Sequence, residues 1–204
     1  MISAIILAAG ESKRMGKINK LLLPLGEKTM VEHIVASFVA SNADEIIVVL
    51  GHESEKIRSV LQTYPIKLIE NLDYRQGMTT SIKSGIRGSS TNVSGYLICL
   101  SDLALLSPAE INYVIDRFLV NTDPTIPIIA TPVFEGRRGH PIIYSTHFRD
   151  EILSHPHMNG GKQIIQDNAD KILKIEMRTD HIYADIDDLN DYETLKVRFK
   201  SQNL

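Results

Sequence analysis

Three groups of residues in this sequence have the types and spacing to handle phosphate. The first is Leu7-Ala8-Ala9-Gly10-Glu11-Ser12-Lys13-Arg14-Met15-Gly16, with Lys20 four residues beyond its last glycine. Small residues at 8–10 let backbone N–H groups come close to a phosphate or a base, and Arg14 and Lys20 can neutralise a triphosphate. Taken alone, the segment also suits an ordinary strand-to-helix turn with a solvated basic face. It is not a Walker A loop: five residues separate Gly10 from Gly16 where that motif has four, and Ile18 follows Lys17 where Ser or Thr is required. A dinucleotide-binding GxGxxG is absent as well.

The second group is acidic. Carboxylates just after buried strands can face a crevice and hold a hard cation through oxygen ligands. Asp102 follows the apolar run 95–100, and Asp185 and Asp187 stand in Tyr183-Ala184-Asp185-Ile186-Asp187-Asp188. The same carboxylates could instead cap turns and helix starts. The third group is scattered. Asn71, Gly77 and Ser81 fall in a segment whose glycine and hydroxyls suit a helix N-terminus that binds a base or a phosphate. Arg137-Arg138-Gly139-His140-Pro141 sets two cations and an imidazole beside a flexible glycine, which suits an anionic acceptor or a solvated turn. His155-Pro156-His157 lacks further ligand spacing and reads as loop.

Positioning these groups requires strands that end near one another. Runs rich in Ile, Val and Leu at 2–7, 45–50, 66–70, 95–100 and 126–131 alternate with amphipathic segments at 30–41, 54–61, 81–87 and 108–119. That alternation predicts an α/β fold with a mostly parallel sheet covered by helices on both faces, whose ligands bind at the carboxyl ends of the strands. Residues 132–144 predict an inserted β-hairpin around a glycine-bearing turn. Helices are expected at 147–153, 162–168 and 188–199, and strands at 172–176 and 182–186. Alternation along that last strand would put Asp185 and Asp187 on one face.

Composition bounds the rest. A length of 204 residues fits one domain, 1–204, and a hydrophobic fraction of 43% with 23% charged residues is that of a soluble globular chain. No apolar run approaches a membrane span, and the apolar start has no basic flank to make it a secretory signal. The single cysteine, Cys99, lies in an apolar run and reads as a buried reduced thiol, which suits a cytoplasmic protein. A net charge of −3 gives no reason to expect nucleic-acid binding.

The chain resembles the MobA-like nucleotidyltransferases, whose signature LAAGxSxRMG followed by K-L-L-x-P-L is matched by residues 7–16 and by Lys20-Leu21-Leu22-Leu23-Pro24-Leu25. Within that superfamily it is most similar to the molybdenum cofactor cytidylyltransferases and to accessory relatives of purine-catabolism molybdenum hydroxylases. The resemblance implies a Rossmann-like three-layer fold of the nucleotide-diphospho-sugar-transferase type. It implies magnesium-dependent transfer of CMP from CTP to the phosphate of molybdopterin, serving a molybdenum hydroxylase. Leu7, Ala8, Ala9, Gly10, Ser12, Asn71, Gly77 and Ser81 would then hold the nucleotide, Arg14 and Lys20 would be catalytic, Arg138, Gly139 and His140 would lie toward the acceptor, and Asp102 and Asp187, with Asp185 as the alternate, would bind magnesium. Ala-Ala-Gly at 8–10 resembles cytidylyl rather than guanylyl members. Two departures stand out: alanine at 104 replaces the proline of the family's D-x-P, and Asn159-Gly160-Gly161-Lys162 stands where G-D-x-G-A-R is usual. Sugar or polyol phosphates as acceptors, and a non-catalytic carrier of the molybdenum cofactor, are the rival readings.

Overall fold

Seven residues without one strongly polar side chain, Ile2–Ala8, form the first strand, β1, and all seven are buried. A strand covered on both faces reads as a continuous apolar run, and β1 is an interior strand of the sheet, paired on both sides. The computed structural model describes residues 1–16, 18–156 and 160–202. Lys17, His157 and Asn159 from the motifs above lie outside the described residues.

A short antiparallel pair, β2 (Pro24–Leu25) and β3 (Lys28–Thr29), leads into α1 (Met30–Val39). Then follow β4 (Glu45–Leu50), α2 (Ser54–Leu61), β5 (Lys67–Glu70), α3 (Met78–Gly88), β6 (Gly95–Leu100) and α4 (Pro108–Asn121). The second half comprises β7 (Ile129–Phe134), β8 (Arg137–Arg138), β9 (Ile142–Ser145), α5 (Arg149–Ser154), α6 (Lys162–Asp167), β10 (Ile172–Glu176) and α7 (Leu189–Gln202). The main sheet runs β10-β7-β9-β6-β1-β4-β5, with β8 paired to β7. β6, β1, β4 and β5 are parallel, as are β7 and β10, whereas β9 is antiparallel to both of its neighbours. The expected α/β fold with a mostly parallel sheet is what the chain forms.

Alternation along the strands divides the core into two layers. Ala4, Ile6, Val48, Leu97 and Cys99 face α1, α2 and α4, while Ile5, Leu7, Ile47, Ile98 and Ile142 face α3, α5 and α6. Cys99 is fully buried, and burial pushes its thiol well above the ordinary range. A third cluster joins α7, through Tyr192 and Leu195, to Leu25, Met30, Ala104 and Ile186. Among the described residues no helix is long and apolar enough to cross a membrane.

Two expectations about strands need correction. The strand expected at 126–131 starts later and runs to Phe134, because Pro127 stands just before it and the turn after it is tight. Glu135 and Gly136 both have positive φ, the geometry that joins β7 to β8 in a two-residue hairpin. The strand expected at 182–186 does not form: Asp180–Tyr183 is a 3₁₀ turn, and the chain then runs irregularly to α7. The sheet edge on this side is already taken by β10, so the segment crosses the end of the sheet instead of extending it.

The 3₁₀ turn is tied down by Glu110. Ser107 and Glu110 make a capping box at the start of α4, with Glu110 N donating to Ser107 Oγ at 3.3 Å and Ser107 N donating to the Glu110 carboxylate at 2.9 Å. The carboxylate also takes the Thr179 hydroxyl and meets His181 Nδ1 at 3.0 Å. Burial pushes the Glu110 carboxyl up, but the bonds from His181, Ser107 and Thr179 prevail and hold it at about 2, against 4.5. A depressed carboxylate stabilises the fold above its unfolded pKa and loses that contribution as pH falls through the folded one. Roughly 3 kcal/mol of stability should therefore drain away between about pH 5 and pH 2. Urea midpoints measured across that window should flatten in Glu110→Gln; an unchanged acid limb would show that the cluster is energetically idle.

Candidate active site

The carboxyl ends of β1 and β6 open into a cavity of about 360 Å³, floored by Leu7 and Leu100. Its first wall is the loop after β1. Ser12 takes a left-handed conformation with φ of 50°, its carbonyl accepts from Met15 N at 2.8 Å, and its Oγ accepts from Lys20 N at 3.3 Å. The loop is thereby folded back so that Ala9, Gly10, Ser12 and the Lys20 side chain line one side together. A side chain added at Gly10 would meet open space, so there the glycine leaves the backbone uncovered for a ligand.

The second wall is acidic. Asp102, 6% exposed, follows β6, and Lys20 Nζ donates to its carboxylate and to the carbonyl of Ile186 at 2.6 Å. One lysine thus joins the first loop, the end of β6 and the segment leading to α7. Arg14 makes the corresponding ion pair with Asp187, both being largely exposed. Asp187 N donates to Asp191 at 2.9 Å, and Asp188 Oδ1 accepts from the N–H groups of Asn190 and Asp191, so the start of α7 fixes the acidic turn. Asp185 and Asp187 converge on the cavity, although no strand face holds them. The Asp185 carboxyl is pushed up, first by burial and next by Asp102. A cation placed between those carboxylates would relieve the repulsion.

The third wall is the N-terminus of α3, where Met78 and Ser81 reach the cavity and Gly77, with φ of 130°, begins the helix. Asn71 stands behind it, 4% exposed, donating to Thr80 Oγ1 at 2.8 Å and to Ser81 Oγ at 3.0 Å. Ala8 is wholly buried at the end of β1 and contributes no side chain to the cavity. Tyr74 and Ser101 do line it. Neither was singled out in the sequence, because a tyrosine in a 3₁₀ turn and a serine after a strand have no distinctive spacing.

A second cavity, of about 230 Å³, adjoins the first across Met78, which lines both. Arg138, Gly139 and His140 border it, together with Lys162 of α6 and Thr131 and Tyr144 of the sheet. His140 N donates to Ile182 O at 2.7 Å, and its Nδ1 lies 3.3 Å from Ile98 O. Burial lowers the His140 pKa, so at neutral pH the ring is an uncharged hydrogen-bonding group.

Among the described residues no three His, Cys, Asp or Glu side chains gather closely enough to hold a metal by themselves. Asp102, Asp185 and Asp187 instead suit a cation that draws its remaining ligands from phosphate oxygens and water, as magnesium does.

The chain is similar to known proteins over most of its length. The chain is 26% identical over 199 residues to the molybdenum cofactor cytidylyltransferase of Escherichia coli, covering 97% of each. It is 28% identical over 158 residues to the nicotine blue oxidoreductase of Paenarthrobacter nicotinovorans, covering 75% of each. Among solved structures, a nucleotidyl transferase from Methanothermobacter superposes with a TM-score of 0.83 at 22% identity, over 99% of each chain. The MobA-like NTP transferase domain matches residues 4–172, and the chain belongs to that family of nucleotidyltransferases.

Proposed function

We propose that this protein transfers CMP from CTP to the terminal phosphate of molybdopterin or the molybdenum cofactor, releasing pyrophosphate, and that its product serves a molybdenum hydroxylase. The observation that carries the reading is the convergence of Lys20, Asp102, Asp185 and Asp187 with the 9–12 loop, next to a second cavity bordered by Arg138 and Lys162. One cavity suits the triphosphate and the other an anionic acceptor. The CTP assignment is supported by Ala-Ala-Gly at 8–10 and by the cytidylyltransferase likeness over almost the whole chain.

An acceptor phosphate oxygen forms a bond to the α-phosphorus as the bond from that phosphorus to the β-phosphate bridging oxygen breaks, and pyrophosphate leaves with the electron pair. The 9–12 loop and the α3 N-terminus hold the nucleotide, and the borders of the second cavity aim the acceptor. Without nucleotide, Lys20 and Arg14 are paired with Asp102 and Asp187. With it, they turn to phosphate oxygens, stabilising the charge that grows on the leaving group and freeing the carboxylates. Asp102 and Asp187, with Asp185 as alternate, would hold magnesium, which supplies neutralisation of the pyrophosphate charge when bound.

Pyrophosphate release from each nucleoside triphosphate, with magnesium and with or without molybdopterin, tests the reading. Release is expected with CTP and only when molybdopterin is present. Release with a sugar or polyol phosphate instead would reassign the acceptor, and no release with any combination would remove the transfer reading. The assay also separates it from the oxidoreductase activity named for one relative, since only nucleotidyl transfer yields pyrophosphate.

A further inference from the structure

The sheet ends at two open edges, β5 and β10. Such an edge is a row of unpaired N–H and C=O groups that a further strand can complete. Parity decides which residues supply them, because in a parallel pair alternate residues turn both backbone groups to the same neighbour. Met177 N donates to Val133 O at 2.7 Å, so Leu173 and Ile175 bond to β7 while Ile172, Lys174 and Glu176 turn their backbone outward. Asn71 N likewise donates to Leu50 O at 2.8 Å, which leaves Leu68 and Glu70 outward on β5.

The two edges differ in charge. On β5, Glu70 accepts from Ser54 Oγ at 2.7 Å and lies 3.9 Å from Arg58. On β10, Lys174 and Glu176 are exposed, and neither has an ion-pair partner among the described residues. Leu173 and Ile175 pack on the face covered by α1, α2 and α4, and Ile172 on the opposite face, where alternation also puts Lys174 and Glu176. An apolar groove lined by Ile126, Pro127, Ile128, Ile172 and Leu173 flanks the start of the strand, with Ile126 57% exposed.

We propose that the edge of β10 is an interface through which two copies of this chain form a two-fold dimer, joining their sheets into one. Each β10 runs antiparallel to its copy, with Lys174 opposite the partner's Glu176 and Ile175 on the two-fold axis. The hydrogen-bonded pairs of such a ladder join outward-facing residues only, so few registers are open. Centring on Lys174 sets lysine against lysine. Centring on Glu176 sets glutamate against glutamate and Lys174 against the partner's Arg178, and centring on Leu173 sets Lys174 against isoleucine. The register about Ile175 makes opposite charges meet, and symmetry makes them meet twice. A lone lysine guards an edge by repelling its own copy, and Glu176, two residues on, lifts that guard in this register alone. The same register brings the partner's Arg178 level with Ile172, beside the apolar groove. Leu68 and Glu70 on β5 offer no register in which opposite charges meet.

Sedimentation equilibrium of the full chain should show a dimer. Lys174→Glu and Glu176→Lys each turn both cross-strand pairs from attraction to repulsion, and each should raise the dimer dissociation constant about a hundredfold. Mixed in equal amounts, the two variants should pair with each other within about threefold of the unaltered affinity, because every cross-strand pair in the mixed dimer is again lysine against glutamate. An unaltered chain that stays monomeric, a dimer that survives either substitution, or two monomeric variants that do not recombine would overturn the proposal. Hydrogen exchange on the unaltered chain gives a reading that needs no variant. Concentrating the protein should protect the amides of Lys174 and Glu176 and leave those of Leu68 and Glu70 unchanged; equal protection at both edges, or at neither, rejects the interface.

Discussion

Lys20→Ala should lower kcat/KM for pyrophosphate release about a thousandfold and destabilise the fold as well. Two effects add. In the proposed transfer the lysine supplies charge where the leaving group develops it, a contribution of about 10²–10³ in rate for a single well-placed group. It is also the partner of Asp102, whose side chain is 9% exposed. Removing one member of a buried ion pair leaves the other charge uncompensated, at a cost of about 3–5 kcal/mol. The two effects separate in a double variant. Lys20→Met with Asp102→Leu removes both charges and should recover most of the lost stability, yet stay as inactive as the single variant. Chemical denaturation and initial rates on the same preparations make the measurement. Full turnover in either protein would falsify the placement of the reaction at this site.

The second large effect is expected at Gly139, where no charge is altered. A Cβ there would lie 2.2 Å from the backbone oxygen of Ile182, and a backbone atom cannot swing aside as a side-chain tip can. Gly139→Ala must push the 182–186 segment outward and break the bond from His140 N to Ile182 O. Overpacking of this kind costs about 3 kcal/mol, a fall in Tm of roughly 6–12 °C. The displacement also reaches the active site, because Ile186 O accepts from Lys20 and Asp185 and Asp187 belong to the same segment. Misplacement of reacting groups by about 1 Å can lose a factor of about 100 in rate. Differential scanning calorimetry and CTP turnover should therefore decline together. A variant that is destabilised but fully active would show that the hairpin does not position the acidic segment.

The sequence displayed the first loop more clearly than anything else, for a physical reason. A loop that leaves its backbone uncovered needs small residues at fixed places, and Ala9, Gly10, Ser12 and Lys20 line one wall of the cavity together. Asp102 was visible because it follows an unmistakable buried strand. The segment at 182–186 misled because an alternating pattern does not require a sheet. Ile182 is buried in the core beneath α4 and Ile186 in the cluster around α7, so an irregular chain spanning two cores alternates as a strand would. Asp185 and Asp187 still reach the cavity, by a route that periodicity does not describe.

The antiparallel β9, lodged between β6 and β7, constrains how the chain is made. As synthesis proceeds from the amino terminus, β1, β4, β5 and β6 can pair once about 100 residues are available, leaving one edge of β6 bare. That edge waits until residues 142–145 emerge, and β7, completed earlier, has no place in the main sheet before then. An unpaired edge strand is a template for pairing with another chain. Between translation of Leu100 and of Ser145 the bare edge of β6 is open to pairing with another chain, and β9 then covers it and joins β7 to the sheet at once.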